Sequence, residues 1–381
     1  MSSNINQAGD SISENVTSSF LKSGRWKVIP AFTMLGLTQL ASTQGWPTLI
    51  CFVVSATGII PIALLLSDAT EEIADHSGPT IGAICTAVFG NFAEFIIALS
   101  ALRLGLIDVV KASITGAILS DLLLVTGIAM LVGGLKYSEQ SFQETMVRTN
   151  GAAMTLAVMA MALPASLIST SGIDDQVAIH GLSMTVAVIL IIIYFLTLIF
   201  SLATHNHLFD PQHIKNDETE SSQEEEKSIN LLPWIIQLIA CTALLSYQSE
   251  SFVHFLEPAT EQLGLSALFT GIIIIPIIGG FSEYVPAVKG AWKDQMDLPI
   301  SLAMGSSLLV ALLIAPALII IGSLIGQPMN LDFTAFEVIA LIFSVLIVNL
   351  VNMDAKSNWL EGVLLLGMFS IFGAAFYYYP S

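Results

Sequence analysis

A run of about 20 mostly apolar residues is long enough to cross the hydrocarbon of a bilayer as a helix. This chain contains eleven such runs, near 27–43, 46–66, 79–102, 109–133, 150–168, 179–203, 229–247, 266–288, 298–322, 338–353 and 359–378. Fifty-four per cent of its 381 residues are hydrophobic and 11% are charged, against roughly 25% charged in soluble domains. A soluble fold cannot bury that much apolar surface, whereas a bilayer removes the need to. Within lipid the backbone must satisfy its own hydrogen bonds, which restricts long apolar runs to helices. The sequence therefore predicts an all-α polytopic membrane protein with about eleven transmembrane helices.

The positions of the cations orient those helices. With a cytoplasmic N-terminus, Lys22, Arg25, Lys27, Lys136, Arg148, Lys215, Lys227, Lys289, Lys293 and Lys356 all fall on the cytoplasmic side, and only Arg103 and Lys111 fall on the other. This is the bias expected of inserted helices, and it places the C-terminus outside. The longest polar interruption, 204–228, divides the later ten spans into five and five.

The two sets of five contain a repeat. Gly90-Asn91-Phe92-Ala93-Glu94 recurs as Gly279-Gly280-Phe281-Ser282-Glu283, at an offset of 189 residues. At the same offset Ala98 matches Ala287, Asp108 matches Asp297 and Gly116 matches Gly305. Five spans separate the copies, and an odd number makes them run in opposite directions. Inverted repeats of this kind build secondary transporters whose substrate site lies near the midplane, between the repeats.

An ionisable side chain at mid-bilayer costs roughly 2.5–3.5 kcal/mol even on insertion scales. Glu94, Glu283 and Asp121 all lie inside spans, and no Lys or Arg lies deep enough to pair with them. Lys111, at a span end, can snorkel to water. One buried Glu can be a structural hydrogen bond between helices. Two at equivalent places in an inverted repeat point to a cation-binding and proton-coupling site. Metal ligation needs deprotonated carboxylates, so metal and protons compete for them. A pair of facing carboxylates is neutralised by one divalent cation or by two protons, and a switch that avoids the doubly charged empty state makes an obligate exchanger. Gly90, Gly279 and Gly280 precede the acids and can loosen the helix, offering main-chain oxygens to a hard cation such as Ca²⁺. Ser113, Gly116, Ala117 and Ser120 share one helical face, and Gly305, Ser306 and Ser307 are the small residues that do similar work in the second copy. Close packing of small residues accounts for the same pattern.

The remaining features exclude more than they assign. The net charge is −18, and without a basic stripe no nucleic-acid partner is expected. Part of the excess sits in the run Asp217–Glu226, a solvated loop or a cation-attracting one. Cys51, Cys85 and Cys241 lie in apolar stretches with no metal or disulfide spacing. The first twenty residues lack an apolar core, so no cleavable signal peptide is expected. The sequon at Asn15 falls on the side assigned to the cytosol. His76, His180, His205, His207, His213 and His254 lie mostly in polar segments, and no H-E-x-x-H or nucleophile motif accompanies them. A phosphate-binding G-x-x-x-x-G-K-[ST] loop is also missing. The expectation is secondary transport without a cofactor, and not an enzyme.

At these residues the chain resembles the cation/proton exchanger family, a branch of the Ca²⁺/cation antiporter superfamily. The stretch GNFAEFIIALSALRLGLIDVVKASITGAILSDLLLVTG from Gly90 is similar to the family's first signature. IPIIGGFSEYVPAV from Ile275, with MDLPISLAMGSSLLVALLIAP from Met296, is similar to the second, and SDATEEIADHSGP from Ser67 to the segment before the first. The resemblance implies eleven spans with a first helix outside the repeats. It implies Ca²⁺ ligation by Glu94 and Glu283 with main-chain oxygens near Gly90 and Gly279. It also implies hydrogen bonds from Asn91, Ser120 and Ser306 that tune the acids, and a cytosolic cation-sensing segment at Glu71 and Glu72, for which a solvated interface is an equal reading. Four positions depart from the family: Gly280 for its Asn, Tyr284 for its His, Leu309 for its Gln and Asp121 for its Asn. The second half loses polar partners and the first gains a third carboxylate, which leaves Ca²⁺, Mn²⁺ and Na⁺ open as the cation.

The predicted organisation is a cytosolic tail at 1–26, a first transmembrane helix at 27–45, a first repeat at 46–203, an acidic cytosolic loop at 204–228 and a second repeat at 229–381. The expected location is a microbial plasma membrane or a vacuolar membrane, with lipid as the surrounding partner. A Na⁺/H⁺ or Na⁺/Ca²⁺ exchanger, an intramembrane enzyme and a passive channel are the competing readings.

Overall fold

The computed structural model describes residues 27–77, 79–171, 175–201 and 231–379. The tail 1–26 and the loop 204–228 lie outside these residues, as do the Asn15 sequon, the acidic run Asp217–Glu226, Lys22, Arg25, Lys215, Lys227, His205, His207 and His213. In chain order the helices are α1 (27–43), α2 (Thr48–His76), α3 (Pro79–Phe89), α4 (Phe92–Arg103) and α5 (Ile107–Lys136). There follow α6 (Glu144–Ser171), α7 (Gln176–Ile199), α8 (Leu232–Leu263), α9 (Ala267–Gly279) and α10 (Phe281–Trp292). The last three are α11 (Asp297–Leu324), α12 (Ala335–Val351) and α13 (Trp359–Tyr378). Two short strands, β1 (Gln140–Ser141) and β2 (Lys356–Ser357), form an antiparallel pair.

Each of the eleven apolar runs falls on a helix or a broken pair of helices. Seven helices among the described residues are long and apolar enough to cross a membrane, or eight when α9 and α10, bent by 60°, count as one. Length and hydropathy alone therefore do not establish eleven crossings; α12, for example, has 17 residues. Several helices outrun their apolar cores. α8 continues from the predicted 229–247 to Leu263, and α2 ends at His76 rather than near 66. Polar residues such as Glu257 and Asp68 extend a helix into the interface without contributing to an apolar window.

Contacts between the loops fix the directions. At one end Lys136 donates to the Trp292 carbonyl at 2.7 Å, the Gln143 amide donates to Asp297 at 2.7 Å, and β1 pairs with β2. The Lys136 ammonium lies 4.9 Å from both the Tyr137 and Trp292 ring centres. At the other end Lys111 donates to the Asp332 carbonyl at 2.9 Å, and Leu331 donates to Ser183 at 3.0 Å. Ser323 and His180 meet there at 3.3 Å. Helix α5 thus runs from the Lys111 end to the Lys136 end, and α11 runs the opposite way. The repeat is inverted in space as the parity of the spans predicts.

The halves interlock. α2 packs along α8, and α6 packs on α12. The last helix of each half lies on the central helix of the other: α13 against the second part of α5, and α7 against α11. Ile97, Leu102, Ile118, Leu119, Leu122 and Met130 are fully buried in this core. Leu163, Ile192, Phe195, Leu364 and Ile371 remain exposed, a dispersed apolar surface suited to lipid. α1 sits outside the repeats and is tied in by a Lys27–Asp68 ion pair at 2.5 Å and by Gln248, which donates to Thr38 and to the Ser55 carbonyl. Cys51, Cys85 and Cys241 are free thiols.

Candidate ion-binding site

Two helix breaks and two π-helical turns place the acids. Between α3 and α4 the helix is interrupted at Gly90 and Asn91; between α9 and α10 it is interrupted at Gly280. Glu94 and Glu283 stand in the first turn after their breaks. α5 contains a π-helical turn, Ser120–Val125, that carries Asp121, and α11 contains one at Val310–Ile314. Such turns are rare and cluster at functional sites. These two occupy nearly equivalent places in the repeat.

Glu94 reaches across the repeat boundary to the break that precedes Glu283. A β-carbon on Gly279 would stand 3.3 Å from Glu94 Cγ and 3.4 Å from its Oε1, and one on Gly280 would stand 3.6 Å from that oxygen. The carboxylate of the first half therefore lies over the break of the second, in close contact with its two glycines. Both Glu94 oxygens and Glu283 Oε2 are buried without a hydrogen-bond partner, although the Glu94 residue as a whole is only half-buried. The other Glu283 oxygen accepts from Ser306 Oγ at 2.7 Å. Asp121 lies in the same electrostatic neighbourhood as Glu94 and Glu283. Ser307 donates to Asp121 at 3.5 Å. No Lys or Arg among the described residues forms an ion pair with these acids.

Buried polar atoms are almost always satisfied, so three unpartnered carboxylate oxygens are a demand for a ligand. A cavity of about 20 Å³ adjoins Glu94, lined by Ser113 and Ala117 of α5, Ile275 and Pro276 of α9, and Val310 and Ile314 of α11. That is room for about one water or one desolvated ion. Among the described residues no three His, Cys, Asp or Glu side chains converge as a ready-made metal cage. A cation held here would draw its remaining oxygens from hydroxyls, the main chain at the breaks and water, as hard cations accept.

Most of the residues singled out from the sequence are brought together: Glu94, Glu283 and Asp121, with Gly279, Gly280 and Ser306 against them. Asn91 is buried at the first break. Ser120 is buried but bonds Tyr284 Oη at 2.9 Å rather than an acid. Glu71 and Glu72 lie at the C-terminal end of α2, away from this cluster, where Glu72 stands 3.6 Å from His76. Tyr284 is the contributor that the sequence left without a role, whereas Ser307 was named among the small residues of the second copy and here bonds Asp121. Tyr284 follows Glu283 directly, which was the available signal.

The family described as sodium/calcium exchanger protein matches residues 47–203 and 233–378. A Ca²⁺/H⁺ antiporter of Aphanothece halophytica is 46% identical over 342 residues, covering 88% of this chain and 92% of the relative. A vacuolar calcium ion transporter of Schizosaccharomyces pombe is 35% identical over 368 residues, covering 96% and 87%. Among solved structures, native YfkE superposes with a TM-score of 0.78 at 31% identity, over 92% of this chain and 99% of the other. The H⁺/Ca²⁺ exchanger CAX superposes at 0.70 and 15% identity, over 93% and 92%, a likeness of fold.

Proposed function

The chain belongs to the sodium/calcium exchanger protein family, and from that premise we propose that it is a secondary-active antiporter exchanging Ca²⁺ for protons by alternating access. The observation that carries this reading is the meeting of Glu94 with the Gly279–Gly280 break that precedes Glu283, three of the two acids' four carboxylate oxygens being buried and unpartnered. Ca²⁺ binds the deprotonated pair and protons bind the same oxygens in its absence. The site therefore crosses the membrane neutralised by one or the other.

In this reading Glu94 and Glu283 are the ligands and proton carriers. Ser306 supports the ionised form of Glu283, and Asp121 adds a third negative charge that bears on which cation is preferred. The helix breaks at Gly90-Asn91 and Gly279-Gly280 supply main-chain oxygens, since irregular backbone is tolerated in a membrane where it lines a cavity. The repeats extend over 46–203 and 229–381, with 1–26, 27–45 and 204–228 as accessory segments. The end of the molecule bearing Lys136, Lys289, Lys293 and Lys356 faces the cytosol, and the membrane is a microbial plasma membrane.

Initial rates in proteoliposomes under an imposed pH gradient, with Ca²⁺, Mn²⁺ and Na⁺ offered separately, test the proposal. Ca²⁺ movement that stops when the gradient is collapsed supports it. Ca²⁺ movement that needs Na⁺ and ignores pH overturns it.

A further inference from the structure

The 189-residue offset assigns every site residue a counterpart in the other half. Ser120 corresponds to Leu309, and Tyr284 to Phe95. The bond between Ser120 Oγ and Tyr284 Oη, 2.9 Å long, joins α5 of the first half to α10 of the second. Its two-fold counterpart is the pair Leu309 and Phe95, which has no hydroxyl and no hydrogen bond to offer. Tyr284 and Leu309 are two of the four positions where the chain departs from the family it resembles.

The conformation is equally one-sided. A β-carbon at Gly116 would stand 2.6 Å from both Ile272 Cα and Pro276 Cγ, so α5 is closed against α9 there. The matching Gly305 on α11 has open space around it. One turn earlier, Ala112 is fully buried while its counterpart Ser301 is partly exposed. α5 starts at the Lys111 end and α11 at the opposite, Lys-rich end, so among the described residues the packing around these paired positions is closed toward the first end and open toward the second. In an inverted repeat the halves exchange conformations when access alternates. The opposite state then closes α11 where α5 is now closed, and brings Leu309 and Phe95 into the relation that Ser120 and Tyr284 now hold.

Resting on the exchange reading, we propose that Tyr284 and Ser120 form a one-sided latch, a positioning pair that weights the equilibrium toward the state open at the Lys-rich end. The bond exists in this state and has no equivalent in the other, and two states are biased by any interaction that only one of them makes. A net neutral hydrogen bond corresponds to a shift of about fivefold in an equilibrium constant. The latch touches the site because the Tyr284 hydroxyl lies beside Gly280 and shares the electrostatic field of Glu94, Asp121 and Glu283. Breaking it leaves the carboxylates in place and alters how often each face is open.

The test uses Ala112→Cys as a reporter, buried now and exposed only when the Lys111 end opens. A membrane-impermeant maleimide is applied from that side to the full chain in proteoliposomes, with the parent protein as the control for its own thiols. Tyr284→Phe and Ser120→Ala should each raise the labelling rate about fivefold, and the double variant should raise it no further. Building the mirrored bond with Phe95→Tyr and Leu309→Ser in the otherwise unchanged chain should also raise the rate, because the opposite state then gains the same bond. Unchanged labelling in Tyr284→Phe at a normal melting temperature, or additive effects of the two single variants, overturns the latch. Labelling needs no ion flux, so absence of pH-driven Ca²⁺ transport would defeat the exchange reading while leaving this result separately readable.

Discussion

Replacing Ser306 with Ala removes one hydroxyl and leaves the α11 backbone and the small-residue packing intact. The lost bond, 2.7 Å from Ser306 Oγ to Glu283 Oε1, is of ordinary length for a hydroxyl donor and is made to the Glu283 oxygen that has a partner. A hydrogen bond to a charged group contributes roughly 1.5–3 kcal/mol and a neutral one roughly 0.5–1.5. The cation-bound state needs Glu283 ionised, whereas the proton-bound state retains only the neutral bond. The variant therefore loses about 1 kcal/mol more from the cation-bound state than from the protonated one. At about 1.4 kcal/mol per tenfold, protons gain about fivefold over the cation. Initial rates of Ca²⁺ uptake measured against pH on the cation side should show the half-inhibition point moving toward higher pH by about 0.7 unit. At a fixed neutral pH the apparent KM for Ca²⁺ should rise by a similar factor, with the maximal rate kept at alkaline pH. Ser301→Ala is the control, because that hydroxyl bonds the Leu298 carbonyl of its own helix at 3.0 Å. A Ser306→Ala profile that overlays the parent would refute the reasoning that this hydroxyl sets the competition.

Asp121→Asn removes the third carboxylate and should retain exchange while altering ion preference among Ca²⁺, Mn²⁺ and Na⁺ or the pH profile; if neither moves in a competition assay, Asp121 is not part of the electrostatics of transport. Deleting most of 215–226 should leave transport partly active in proteoliposomes, and complete loss would show the segment to be more than a connecting loop. Gly116→Ala should lower the melting temperature in detergent, because its methyl meets the Ile272 main chain, whereas Gly305→Ala enters open space and should change it little; overpacking of this kind costs about 1–3 kcal/mol. Equal melting temperatures for the two variants would contradict the one-sided closure.

Much of the fold was legible because the bilayer makes its rules linear. Apolar run length marks helices, loop cations set direction, and an odd span count between two copies of G-x-F-x-E forces inversion. The antiparallel course of α5 and α11 follows from that arithmetic. Helix ends were less legible: α8 runs to Leu263 through Glu250 and Glu257, and nothing in an apolar window records where a helix continues into the polar interface. The acids were found because an unpaired carboxylate in an apolar run is costly. Their neighbours were harder. Ser306 was one of several small residues with a packing explanation; the resemblance named it as a hydrogen-bonding residue, and the structure shows its hydroxyl on Glu283. Tyr284 stood out from the sequence as a departure without a role, since its partner Ser120 lies 164 residues away. The π-helical turns were not read from the sequence, since neither Ser120–Val125 nor Val310–Ile314 carries a glycine or proline to mark it.

The central claim is that cation and protons occupy the same two carboxylates, and counting protons tests it most directly. Purified protein in weakly buffered detergent solution would be titrated with Ca²⁺ between about pH 5 and pH 8 while free H⁺ and bound Ca²⁺ are followed together. The wild-type chain should release protons as Ca²⁺ binds in the acidic part of that range, with release fading as pH rises and the pair is already ionised. Glu94→Gln combined with Glu283→Gln should abolish both signals in a protein that still melts cooperatively. Ca²⁺ binding by that double variant, or wild-type binding without proton release at any pH, would contradict a shared site.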